Sequence, residues 1–81
     1  MNNELRKVWN SEAREVLLGK KIVRVCYLSQ ESMDDLMWHR CPIGIELEDG
    51  TVIIPQMDDE GNDGGALMYI EKGEQGVLPT L

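Results

Sequence analysis

The sequence predicts an α+β fold in which an N-terminal helix packs on a small antiparallel sheet of four to five strands, a sheet short enough to curl into a partly open barrel. Three observations predict it. Apolar residues recur with helical period through the first 18 positions, strand-like runs dominate from residue 21 onward, and glycine-containing turn signals such as Asp49-Gly50 and Gly64-Gly65 separate those runs. With 81 residues the chain makes one domain, residues 1–81.

The first helix is expected over residues 3–18. Asn2 or Asn3 supplies an N-cap oxygen, and Glu4 sits at the positive end of the helix dipole. Leu5, Val8, Trp9, Ala13, Val16 and Leu17 form one apolar stripe, and Arg6, Lys7, Glu12, Arg14 and Glu15 fall mostly off it. Gly19 stands where a left-handed C-terminal cap belongs. Lys21 to Ser29 then reads as a strand rich in β-branched and aromatic residues, with Val23, Val25 and Tyr27 on one face and Ile22, Arg24, Cys26 and Leu28 on the other. A short helix is expected over 31–38, capped by Ser29 or Ser32, with Met33, Leu36 and Met37 as its apolar edge and Cys41-Pro42 as its stop.

Ile43, Ile45 and Leu47 alternate with Gly44, Glu46 and Glu48 before Asp49-Gly50 and Thr51-Val52-Ile53-Ile54. That pattern predicts a hairpin with a two-residue type I′ turn, placing Leu47 opposite Val52 and Ile45 opposite Ile54. Pro55 ends the second strand. Residues 57–65 read as a loop, 66–71 as a strand, 71–76 as a further turn, and Val77-Leu78 as a short last strand.

Composition bounds the function classes. Hydrophobic residues make up 42% of the chain, so it is a folding sequence, yet Phe is absent and two Trp, two Tyr and the methionines carry the bulk. No apolar run approaches the length of a membrane span, and the N-terminus lacks a signal-peptide pattern, so a cytoplasmic location without membrane attachment is expected. Two cysteines, Cys26 and Cys41, do not make a disulfide framework. The net charge of −7 is unevenly spread: residues 1–41 hold seven Lys/Arg against six Asp/Glu, whereas residues 42–81 hold one Lys against nine Asp/Glu. The acidic C-terminal half repels phosphate backbones, so nucleic acid is not the expected partner; any such surface would have to use Arg6, Lys7, Arg14, Lys20, Lys21 and Arg24.

Two resemblances are carried by short stretches. Leu17-Leu18-Gly19-Lys20-Lys21-Ile22-Val23-Arg24-Val25, with one helix ahead of about five strands, resembles the helix-to-first-strand junction of Sm-like proteins. The resemblance implies ring assembly and RNA binding. The short helix at 31–38 is an insertion for that fold, and Glu71-Lys72-Gly73 stands where its Ile/Arg-Gly motif is expected, so no RNA-binding residue carries over. The stretch from Arg40 to Gly50, with Asp58 to Leu67, resembles small uncharacterised bacterial or phage-borne proteins and implies a stand-alone domain.

Three groups of residues could carry chemistry. Asp58, Asp59, Glu60 and Asp63 lie within six positions among glycines, and an alignment to the calcium-loop pattern runs from Glu60 through Asn62 to Glu71, failing at Gly64, which has no side-chain oxygen. The candidate cation ligands are thus Asp58, Glu60, Asn62, Asp63 and Glu71, against the simpler reading of an exposed acidic turn. His39 and Cys41 could share a face of an extended segment, as a nucleophilic pair needs, or join Cys26 around zinc, which wants a fourth ligand. The Trp9 and Val16 stripe serves either as core or as an association face. No catalytic residue and no cofactor is assigned. The expectation is a non-enzymatic interaction or assembly module that binds itself or another protein through Trp9, Val16, Asp58, Asp59 and Glu60. A ring-forming RNA-binding protein and a cation-binding module using residues 58–71 are the alternatives.

Overall fold

Asn2 opens the molecule as the sequence leads one to expect. Its side-chain oxygen accepts the backbone N–H groups of Glu4, at 2.9 Å, and Leu5, at 3.2 Å, which satisfies two of the donors that a helix start leaves unpaired. The computed structural model describes residues 2–81. Their elements are α1 (Asn3–Leu17), β1 (Ile22–Tyr27), α2 (Gln30–Leu36), β2 (Ile43–Leu47), β3 (Val52–Ile53), β4 (Leu67–Glu71) and β5 (Glu74–Leu78).

The class is α+β. Among the described residues the five strands divide into a three-stranded antiparallel sheet ordered β1-β2-β3 and a separate two-stranded sheet, β4-β5, and no barrel closes. Pro55, which cannot donate to a ladder, follows the two-residue β3, and the next ladder contact is a lone bridge between Gln56 and Gly64. The chain is thereby led out of the first sheet before β4 begins. The helix also departs from the expected packing: α1 buries none of its residues.

The β2–β3 turn differs from expectation by one residue of register. Glu46 pairs with Val52 and Ile45 with Ile53, rather than Leu47 with Val52 and Ile45 with Ile54. Only Gly50 takes a positive φ, at 89°, and its N–H donates to the Leu47 carbonyl, at 3.0 Å. Leu47 N–H in turn donates to Thr51 O, at 2.8 Å. These are the bonds of a type I turn followed by a left-handed glycine, a three-residue connection. Asp49 stays out of the left-handed region because its carboxylate is engaged: Oδ1 accepts Thr51 N–H, at 3.0 Å, and Oδ2 lies 2.6 Å from Lys20 Nζ. The I′ geometry occurs instead at Lys72-Gly73, with φ of 52° and 81°, and β5 therefore begins at Glu74 rather than at Val77.

The core is small and lies around the α2–β2 connection. Met33, Trp38, Ile43 and Leu47 are its buried apolar side chains, with Pro42 fully enclosed. Met37 ends α2 in the left-handed region, φ 59°, and its N–H returns to Asp34 O. That reversal swings Trp38 inward, where its indole N–H donates to Gly61 O, at 2.8 Å.

Candidate functional site

The acidic loop is built inward rather than outward. Asp58 Oδ1 accepts the N–H groups of Glu60, at 3.1 Å, and Asn62, at 3.2 Å, and its Oδ2 accepts the Asn62 side-chain amide, at 2.8 Å. Asp63 Oδ1 accepts the backbone N–H groups of His39, at 3.0 Å, Arg40, at 2.8 Å, and Gly64, at 2.8 Å. Donors of this kind favour the charged carboxylate. The Asn62 side chain, with backbone donors behind it, holds Asp58 below the ordinary carboxylate range; the Arg40 amide does the same for Asp63. Of the five candidate cation ligands, Asp58 therefore serves the loop's own backbone and Asp63 ties the loop to His39 and Arg40. Glu60 projects into solvent, and Glu71 lies at the far end of β4 opposite Glu74. Among the described residues, no three His, Cys, Asp or Glu side chains converge as a metal site requires.

This loop clamps the segment before β2. Besides the Asp63 and Trp38 bonds, Gly64 lies so close to the Arg40 carbonyl and the Pro42 ring that no side chain fits there. His39 and Cys41 do come to one place, the wall of an open cavity of about 580 Å³ between α2 and the C-terminal residues, which Met33, Met37, Trp38 and Leu81 also line. The Cys41 thiol donates to the Leu28 carbonyl, at 3.2 Å, and its backbone exchanges two hydrogen bonds with Leu81. Cys26, the other candidate zinc ligand, is an exposed free thiol on β1. Cys41 thus fastens three segments together, and among the described residues its thiol bonds to backbone carbonyls rather than to the His39 ring.

The remaining candidate surface is apolar. Trp9 is 63% exposed and Val16 38%, and Leu5, Val8 and Leu17 stand exposed on the same stripe of α1. A second unpartnered face lies on the β4–β5 hairpin, where Met68 pairs with Val77 and Ile70 with Gln75. Met68, Ile70 and Val77 are all exposed, Ile70 at 68%. The period-two alternation of Leu67 to Glu71 already places Met68 and Ile70 on one side. Sequence reasoning missed this face because it assigned residues 71–76 to a turn and kept only Val77-Leu78 as a last strand, which left the pairing of Val77 with Met68 unread. Asp59 and Glu60 are exposed on the acidic loop, while Asp58 is half-buried.

No family model matches the chain, and neither a curated protein nor a solved structure is similar to it.

Proposed function

We propose that this chain is a non-enzymatic, cytoplasmic assembly module that works by associating with copies of itself through its apolar α1 surface. The observation that carries the reading is surface that a lone copy leaves uncovered. The accessible area is 6500 Å² for a 9.2 kDa chain, against about 4900 Å² for a compact monomer of that mass. The radius of gyration agrees: it is 14.2 Å, where about 11.7 Å is usual for this length. Leu5, Val8, Trp9 and Leu17 on α1 are part of that exposed surface, and contiguous apolar surface marks interaction sites. Asp58, Asp63 and Cys41 are occupied in holding loops together. Among the described residues no helix is long and apolar enough to cross a membrane.

Light scattering after size exclusion tests the reading, with the absorbance ratio recorded across the peak. The expected result is a nucleic-acid-free particle of at least twice 9.2 kDa. A 9.2 kDa particle at every concentration overturns it, and co-eluting RNA would favour the ring-forming alternative instead.

A further inference from the structure

Three features compete as a second site: the cavity beside His39 and Cys41, the acidic loop, and the pair of apolar faces on α1 and the β4–β5 hairpin. In the cavity the Cys41 thiol is bonded to the Leu28 carbonyl, and in the loop Asp58 and Asp63 are occupied by backbone donors. The two apolar faces carry the inference, which rests on the self-association reading above. We infer that the apolar stripe of α1 on one copy docks on the Met68–Ile70–Val77 face of the β4–β5 hairpin of a second copy.

Area is the first argument. From side-chain size and exposure, the α1 stripe offers on the order of 500 Å² and the hairpin face on the order of 300 Å². Each copy supplies both, so a reciprocal contact removes on the order of 1,600 Å² in all, the size of a standard specific interface. Neither face alone reaches that size when set against its own copy.

Charge disfavours the alternative of hairpin on hairpin. Residues 42–81 hold one Lys against nine Asp/Glu, whereas α1 is balanced, with Arg6, Lys7 and Arg14 against Glu4, Glu12 and Glu15. Setting hairpin on hairpin brings acidic regions together; setting α1 on the hairpin does not. Glu71 and Glu74 beside the hairpin face are the nearest acidic groups in sequence.

The geometry of the connection sends the helix to a second copy rather than back to its own. Only residues 18–21 join α1 to β1, and that stretch is tied down: Lys20 pairs with Asp49, and the Lys21 carbonyl accepts Glu48 N–H, at 2.9 Å. The base of α1 is thereby held to the β2–β3 turn, and its stripe stays uncovered within the chain.

The test uses two single variants of the full chain, Trp9→Glu on the helix and Ile70→Lys on the hairpin. Both positions are exposed in the single chain, so both variants keep the fold, which the emission of the buried Trp38 reports. If either loses that signal, Trp9→Ser and Ile70→Ser replace them in the same experiment. Each variant alone is expected to weaken association at least tenfold. An equimolar mixture is then expected to associate more tightly than either variant alone, as a one-to-one particle of about twice 9.2 kDa, because one of its two contacts joins an intact helix to an intact hairpin and the other sets the new carboxylate opposite the new ammonium. A mixture that stays monomeric while the unmodified chain associates overturns this pairing and leaves self-association standing. A variant that keeps full assembly on its own also overturns it. A monomeric unmodified chain overturns both readings.

Discussion

At the scale of single residues, the segment 57–65 is a fastener. Its acidic composition suggests an exposed, solubilising turn, but its backbone contacts decide otherwise. Gly64 is needed for close approach: a Cβ there runs into the Arg40 carbonyl oxygen and the Pro42 ring. Gly64→Ala should therefore lower stability by about 1–3 kcal/mol, the range for overpacking at a tight site, read as a drop in the urea midpoint with an unchanged slope. An unaltered midpoint would show that the clamp relaxes freely. The aspartates make a second prediction, about pH. Asp49, bonded to Lys20 and to Thr51, has its carboxyl lowered to about 2, and Asp58 and Asp63 are lowered by the donors they accept. A carboxyl depressed in the folded state favours folding above its unfolded value, about pH 4, and that contribution fades as pH falls through the folded value. The urea midpoint should thus fall between pH 7 and pH 3, and Asp63→Asn, which keeps an acceptor but has no proton to gain, should show a smaller fall than the unmodified chain. Equal acid sensitivity in the two proteins would assign the loss to other carboxylates.

At the scale of elements, what was legible followed from local rules. The boundaries of α1, its Asn2 cap and Gly19 beyond its end are set by bonds within a few residues, and Gly19 indeed takes a positive φ of 77°. The Ser29 cap of α2 is of the same kind, since its side chain accepts Ser32 N–H, at 3.1 Å. The hairpin register was not legible, because Asp49-Gly50 supports either a two-residue or a three-residue connection. A partner distant in sequence, Lys20, occupies the Asp49 carboxylate in the connection that forms. The one-residue difference matters, since it turns Val52 and Ile53 to opposite faces from those expected. Among the site residues, Trp9 and Val16 share one helix stripe, but its helical period is the same whether that stripe is core or surface, and the structure leaves it exposed. Asp63 stands among the candidate cation ligands in the sequence because its three backbone donors, two of them more than 20 positions away, leave no mark there.

At the scale of the whole molecule, the buried apolar core is Met33, Trp38, Ile43 and Leu47, and neither α1 nor the β4–β5 hairpin adds a side chain to it. A helix of 15 residues is marginal by itself in water, so α1 needs tertiary cover to stay formed. A two-stranded hairpin is marginal for the same reason. If each element covers the other across copies, folding of both is linked to association, and stability then depends on protein concentration by mass action. The melting temperature should rise with concentration, by about 3–5 °C per tenfold step given the usual entropy of unfolding for a chain of this size. Differential scanning over a hundredfold range, followed in the helical signal and separately in the emission of Trp9 and Trp38, measures it. Both signals are expected to shift together, α1 because it loses its cover and Trp38 because the small core melts with it. A melting temperature that is independent of concentration would mean that the single chain is stable with its helix uncovered, and would remove the thermodynamic basis for assembly.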